Sequence, residues 1–342
     1  MPSQPIDLSL SEADVVAIAQ RLCGQQVSAA SFCGGGGNNR VYKIDTAAGP
    51  HALKLYGANE SKRDRLGYEF DGLRFLKASG ITSTPAAIAI DRPQRCALYE
   101  WIDGVRVSEH DTSDIDQALE FLSALRFAGH RDGSAALPAA TEAVLTLDAL
   151  VEQIQMRLAR LQSVSAAEPE LQTFVQDELL PETNRRLARL RAWNIHAPLR
   201  AEQRILSPSD FGFHNALRRP NGALCFIDFE YFGWDDPVKL VSDFLSHPAM
   251  NLNVAERSRF FDGIVRLYGD DASFLPRLVA CLPLYSIRWV LIILNEFVPE
   301  LWARRAFSGK GGDWDAAKRV QLQKARAKMA TVLAYTEGQS IP

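Results

Sequence analysis

The chain of 342 residues carries a formal net charge of −3, with 47% apolar and 23% charged residues. That balance is ordinary for a globular protein and contains no long block of one sign, so nucleic acid is not expected as a partner, while the length exceeds one usual core and predicts two packed lobes. Cys23, Cys33, Cys96, Cys225 and Cys281 are widely spaced, with neither Cys-x-x-Cys pairing nor a histidine at zinc-ligand spacing, and read as reduced thiols of a cytoplasmic protein.

Met1 to Leu10 lacks the basic start and apolar run of a signal peptide. Ser11 with Asp14 then predicts a capped helix carrying Val15, Ile18, Ala19 and Leu22, with Gly24 at its end. From Val27 to Ile102 the pattern turns to short β-like runs: Val41 to Ile44, His51 to Tyr56, Ala86 to Ile90 and Ala97 to Trp101. One helix interrupts them, over Lys62 to Ala78, with Gly80 just beyond. After Gly104 the spacing is helical over Asp114–Ala128, Thr146–Ser163, Glu170–Ala192, Val254–Tyr268, Phe274–Val298 and Trp314–Thr336. A hairpin is expected within Ile205–Phe232, around the turn Arg219-Pro220-Asn221-Gly222. These changes predict an α+β chain with a first domain over 1–103 and a mainly helical second over 104–342. The apolar stretch Leu278–Val298 is interrupted by Pro283, Arg288, Asn295 and Glu296 and predicts a buried helix, with no membrane partner. The basic stretch Lys310–Lys328 also holds Asp313 and Asp315 and reads as a solvated helix face.

Three segments carry chemistry. The segment Phe32-Cys33-Gly34-Gly35-Gly36-Gly37-Asn38-Asn39-Arg40-Val41-Tyr42, a glycine run between two β-like segments, would let backbone amides approach phosphate oxygens, or would simply be a flexible turn. It is not a Walker loop, because no Gly-Lys-Ser/Thr follows. Next, Lys54 stands alone among apolar neighbours in His51–Tyr56, either as a phosphate ligand or as an edge-strand lysine. Glu69 on the following helix is placed to pair with it, with Glu60 a competitor. Third, Ser207-Pro208-Ser209-Asp210-Phe211-Gly212-Phe213-His214-Asn215 precedes Ile227-Asp228-Phe229-Glu230. Asp210 and Asn215 lie five apart and Asp228 thirteen further on, the set that phosphoryl transfer needs: one carboxylate for the acceptor hydroxyl and oxygen ligands for magnesium.

The order glycine run, Lys54, Glu69, Asp210, Asn215, Asp228 resembles the aminoglycoside phosphotransferase and choline kinase group of small-molecule kinases, and Ile227–Tyr231 is similar to choline and ethanolamine kinases. The resemblance spans about residues 27–305 and implies a protein-kinase-like fold of two lobes, a small β-rich N-lobe and a larger helical C-lobe. It further implies Asp210 as base, Asn215 and Asp228 as Mg2+ ligands, Lys54 on the α and β phosphates of ATP or GTP, and Glu69 orienting Lys54. Gly34, Gly35, Gly36, Gly37 and Asn38 would cover the phosphates, and Glu100-Trp101-Ile102 would meet adenine. The acceptor would be a small hydroxylated molecule, an amino-alcohol, sugar, aminosugar or aminoglycoside, with Glu230, Glu296 and Trp302 lining its site. Gly233-Trp234-Asp235-Asp236-Pro237 and Asp243 resemble family residues that brace the catalytic loop. The chain departs from the group at Pro208, where histidine is usual, and at Phe213-His214 before Asn215; a nucleotide-binding scaffold without turnover is the alternative this leaves open. His214 reads as a structural hydrogen-bonding group. A protein kinase is disfavoured, because Asp228-Phe229-Glu230 runs almost directly into a helix near Lys239 without room for an activation loop.

Overall fold

Ser11 starts the first helix as its spacing to Asp14 predicts. The computed structural model describes residues 10–34, 39–57, 64–192, 198–305 and 312–335. In α1 (Glu12–Cys23) Ser11 and Asp14 satisfy each other's backbone amides in a capping box, and Gly24 ends the helix with a left-handed φ of 66°. The described chain divides into two compact units, Met1–Thr141 with Leu206–Trp234, and Glu142–Ile205 with Asp235–Pro342. This division differs from a single cut after residue 103, because the hairpin region and the helix after residue 111 are bonded into the first unit.

In that unit β1 (Val27–Gly34), β2 (Asn39–Thr46), β3 (Gly49–Tyr56), β4 (Ala87–Asp91) and β5 (Cys96–Glu100) form an antiparallel sheet of order β1-β2-β3-β5-β4. Strand alternation sorts β3 into two faces. Leu53 and Leu55 join Val15, Ile18 and Ala19 of α1, with Ile44, Cys96 and Leu98, in one buried cluster. Lys54 and Tyr56 point to the other face, toward α2 (Arg65–Ala78), where Glu69, Phe70, Leu73 and Leu76 are buried. That helix is capped by Asp64, which accepts from the Gly67 amide; Lys62 of the expected start lies outside the described residues.

β6 (Val105–Arg106) pairs with β8 (Ala216–Arg218), which pairs with β9 (Leu224–Phe226) around the expected turn, where Gly222 has φ 84°. This small sheet is tied to α3 (Thr112–Ala128): the buried Asp114 carboxylate takes both Arg218 nitrogens at 2.6 and 2.9 Å, and Gln117 accepts from the Leu224 amide at 2.8 Å. The Phe226 amide donates to the Ser83 carbonyl at 2.8 Å. Phe121 of α3 stacks on Phe226 and Phe211 and meets Phe229 edge-on, closing an aromatic core directly behind the segments that carry Asp210 and Asp228.

β7 (Ile205–Ser207) and β10 (Gly233–Asp235) contain the points where the chain passes between units. The second unit is helical: α4 (Leu147–Ser165), α5 (Pro169–Phe174), α6 (Leu180–Ala192), α7 (Pro237–Ser246), α8 (Val254–Tyr268), α9 (Phe274–Ile293), α10 (Pro299–Arg305) and α11 (Trp314–Ala334). The expected helix over 170–192 holds a π turn at Val175–Leu179, just ahead of Pro181, whose ring cannot donate to the preceding turn. Spacing alone missed α10, and pointed to α7 only as a helical segment near Lys239. Phe274–Phe297 is long and apolar enough to cross a membrane, yet 72% of its apolar window is buried in the protein, and Arg288 within it is held by Asp243 at 2.6 Å; it is a core helix.

Gly72 supplies a sharp test of packing. A Cβ there would sit 2.5 Å from the Phe232 ring, which is fully buried. An exposed helical Gly→Ala change gains about 1 kcal/mol; here Gly72→Ala is expected to lose about 1–3 kcal/mol through overpacking, measured by urea unfolding. A gain would show that Phe232 yields.

Candidate active site

Lys54 is the centre of the site. Its side chain is 8% exposed and its Nζ lies 2.7 Å from Glu69 Oε2 and 2.6 Å from Asp228 Oδ1, with Glu230 Oε2 at 4.0 Å. Burial alone would push the ammonium toward neutrality, but Asp228, Glu69 and Glu230 together hold its pKa well above the usual value of 10.5. Burial pushes the Glu69 carboxyl up, against the pull of Lys54. Tyr56, two residues along the same strand face, donates to Glu69 Oε2 at 2.7 Å. Its hydroxyl is 2.8 Å from that of Tyr99, and because the Tyr56 proton is committed to Glu69, Tyr99 is the donor of that pair. Burial raises both phenols well above their usual value.

Asp228 leaves the hairpin with a left-handed φ of 69°. The amides on either side hold it there: Ile227 N–H donates to the Asn215 carbonyl at 2.9 Å, and Phe229 N–H to Glu69 Oε1 at 3.4 Å. The first bond makes Asn215 a neighbour of the Asp228 segment, continuing the register in which Ala216 faces Phe226. Asn215 closes a 3-10 turn, Phe213–Asn215, and its Nδ2 donates to the Asp210 carbonyl at 3.0 Å and to Asp210 Oδ2 at 3.2 Å. His214 Nε2 lies 3.0 Å from Asp210 Oδ1. The loop before it turns at Ser209, φ 68°, whose amide donates to Ser207 Oγ and whose hydroxyl donates to the Thr141 carbonyl. Asp210 and Asp228 keep 37% and 36% of their side-chain surface exposed, so both can reach a bound reactant while their Phe neighbours stay buried.

The first unit thus brings together Lys54, Glu69, Asp228 and Glu230 in one cluster, and Asp210 with Asn215 in the adjoining loop. Glu230 stands elsewhere than an acceptor-lining residue would. It is 3% exposed, accepts from Asn39 Nδ2 at 3.0 Å and faces Arg65 Nη1 at 3.6 Å, joining the first residue of β2 to the first turn of α2. The Arg65 guanidinium also lies over the Tyr231 ring. Gly34 ends β1 with φ 122°; Gly35, Gly36, Gly37, Asn38 and Glu60 lie outside the described residues. Glu100 ends β5, its carboxylate accepting from the Ala86 amide at 3.1 Å, and is followed by Trp101 and the buried Ile102. In the second unit the Glu296 carbonyl accepts from Trp314 Nε1 at 2.6 Å, and Trp302 stacks on Trp314. There Asp235, Asp236 and Asp243 neutralise Lys239, Arg277 and Arg288, while Gly233 and Trp234 in the first unit lie against the Pro138–Ala140 backbone.

Asn39 and Tyr56 stand within the glycine-run and Lys54 segments with no role of their own in the sequence pattern, and Arg65 and Tyr99 have none either. Tyr56 had a signal in its period-two relation to Lys54; the others are joined only by tertiary structure. Three carboxylates, Glu69, Asp228 and Glu230, have oxygens within 4.8 Å of one another, but the cation among them is the Lys54 ammonium. Asn215 and Asp228 could hold Mg2+ instead: the amide nitrogen of Asn215 donates to Asp210, and a small number of hard oxygen donors suits Mg2+ completed by phosphates.

Residues 29–280, which include every one of these groups in the first unit, match the model of the phosphotransferase enzyme family. The chain belongs to that family. No curated protein sequence matches this phosphotransferase. Among solved structures, a spectinomycin phosphotransferase in complex with ADP and spectinomycin is 13% identical with a TM-score of 0.64, over 94% of this chain and 99% of that one. Choline kinase from Streptococcus pneumoniae is 16% identical with a TM-score of 0.59, over 94% and 100%. Aminoglycoside phosphotransferase APH(4)-Ia is 13% identical with a TM-score of 0.55, over 96% and 100%. The phosphotransferase therefore has the α+β, protein-kinase-like fold of small-molecule kinases.

Lys54→Met is expected to cost about 3–5 kcal/mol, because it strands buried carboxylates. Adding Glu69→Gln should return at least about 1 kcal/mol of that loss in a double-mutant cycle; additive losses would mean the pair is not formed. A lysine pKa raised by folding contributes stability that is complete below its unfolded value and fades only as pH rises through the higher folded one. The Lys54→Met deficit, read from urea curves, should therefore stay level across neutral and mildly alkaline pH.

Proposed function

We propose that this chain transfers the γ-phosphate of ATP, or of GTP, to a hydroxyl group of a small molecule. The observation that carries the reading is the Lys54 ammonium shared between Glu69 of α2 and Asp228, with Asn215 bonded beside the Asp228 segment. A lysine held this way is a fixed positive charge for the α and β phosphates, and it cannot lose its proton at working pH. Asp210 takes the proton of the acceptor hydroxyl as that oxygen bonds to the γ-phosphorus and the bond to the β–γ bridging oxygen breaks, releasing the nucleoside diphosphate. Asn215 and Asp228 would hold Mg2+, which when bound neutralises phosphate charge. The glycine run would cover the phosphates, and Glu100-Trp101-Ile102 would receive the base of the nucleotide. The ADP in the spectinomycin phosphotransferase supports a nucleotide donor.

The acceptor is a small molecule rather than a protein segment, since α7 begins at Pro237, nine residues after Asp228, and leaves no length for an activation loop. The named relatives act on chemically different acceptors, spectinomycin and choline among them, so fold alone does not choose. We assign the acceptor no contact with Glu230, whose carboxylate is spent on Asn39 and Arg65.

Purified protein with magnesium and ATP or GTP, screened against amino-alcohols, sugars, aminosugars and aminoglycosides, should show nucleotide-dependent thermal stabilisation and transfer to one class. Binding with no transfer to any acceptor would favour a scaffold, and no nucleotide binding would refute the proposal. Asp210→Asn should cut turnover by about 10²–10⁴-fold while nucleotide affinity changes little, whereas Asp228→Ala should weaken magnesium-nucleotide binding as well. Undiminished turnover in Asp210→Asn would remove the base from the mechanism.

A further inference from the structure

A carboxylate turns easily about its last torsion, so a base is only as well aimed as the donors that hold it. Asp210 has two such donors in its own loop. Asn215 Nδ2 is divided between the Asp210 carbonyl at 3.0 Å and Oδ2 at 3.2 Å, and the same side chain is the one that under the proposed function would hold magnesium. His214 Nε2, by contrast, meets Oδ1 at 3.0 Å. The imidazole is 17% exposed, against 37% for the carboxylate it touches, so the ring is the more enclosed partner of the two.

The backbone under His214 is anchored from three sides. Phe213 is buried, with the His110 ring 4.8 Å from its own, the Asn215 amide donates to the Gly212 carbonyl at 3.0 Å, and Arg106 of β6 reaches the His214 carbonyl. The 3-10 turn Phe213–Asn215 thereby sets residue 214 against residue 210, four positions earlier. A lone pair on Nε2 would face the negative Oδ1, whereas an Nε2 proton makes a charge-assisted hydrogen bond; the contact selects the Nε2–H form.

We propose that His214 is the positioning residue of the catalytic base: its Nε2–H donates to Asp210 Oδ1 and fixes the carboxylate plane, leaving Oδ2 turned toward the acceptor hydroxyl. The proposal rests on Asp210 being the base. His214 neither touches the reactants nor carries a proton in the reaction; it acts through Asp210.

Three variants and one spectrum test it. His214→Phe keeps a flat ring and removes the donor, while His214→Gln keeps an N–H at about the reach of Nε2. With the acceptor identified by the panel, His214→Phe should lower kcat roughly 10- to 100-fold, as misplacement of a catalytic group does, with both KM values nearly unchanged, and His214→Gln should recover most of that loss. In an Asp210→Asn background the further change to Phe should cost nothing. Long-range ¹H–¹⁵N NMR of the imidazoles of the full chain, which has six histidines, should show a protonated Nε2 on His214 whose resonance moves in Asp210→Asn. An unprotonated Nε2 at His214, equal loss in the Phe and Gln variants, or wild-type kcat in His214→Phe would each overturn the proposal. Wild-type kcat in His214→Phe beside an inactive Asp210→Asn would overturn the positioning role alone, whereas an active Asp210→Asn would overturn the assignment of the base.

Discussion

One ammonium among three carboxylates organises the first unit. Lys54, Glu69, Asp228 and Glu230 come from a strand, a helix and a segment more than 150 residues downstream, and each carboxylate would repel the others without the lysine. A charge buried to this depth must be paired or it neutralises. The sheet, α2 and the 227–231 segment are therefore each incomplete until all three have met, and Tyr56, Tyr99 and Asn39 are hydrogen-bonded accessories to the same cluster. Under the proposed function the same electrostatics would serve chemistry, since a lysine whose proton is secured by its surroundings is a dependable partner for phosphate.

A second device recurs at Asp210 and Asp228. Asp210 and Asp228 are each followed by a buried phenylalanine, Phe211 and Phe229, and both rings pack on Phe121 of α3. The ring fixes the backbone while the neighbouring carboxylate projects outward, partly exposed. Each such ring buries on the order of 2–3 kcal/mol of apolar surface, enough to offset the left-handed backbone at Asp228 and Ser209, which costs about 1–3 kcal/mol apiece. The stacking core and the strained turns are thus two sides of one arrangement.

Most of the element pattern was legible along the chain, because capping, strand alternation and helical spacing are local. Ser11 with Asp14, Gly24, the β3 run around Lys54 and the Gly222 turn all stand where their residue types require. What escaped is what the chain assembles from distant parts. Asn39 and Arg65 have no local mark that ties them to Glu230, and nothing in the spacing assigns Glu230 to the lysine cluster rather than to an acceptor. The pairing of Lys54 with Glu69 was readable because helix and strand are neighbours in the chain; its pairing with Asp228 was not, because no local pattern links segments so far apart in the chain. His214 was read as a hydrogen-bonding residue, but its partner, Asp210, appears only when the 3-10 turn closes.

The interleaving of the units has a consequence for how the protein is made. Residues 206–234, which supply Asp210, Asn215 and Asp228, leave the ribosome only after 142–205, a stretch that belongs to the other unit. Asp228, the third member of the Lys54–Glu69 cluster, is therefore synthesised only after residues 142–205 of the second unit. No contiguous fragment of the chain contains the whole first unit without part of the second. Folding on the ribosome cannot finish the units in the order of their first residues; the first unit is completed in the middle of making the other.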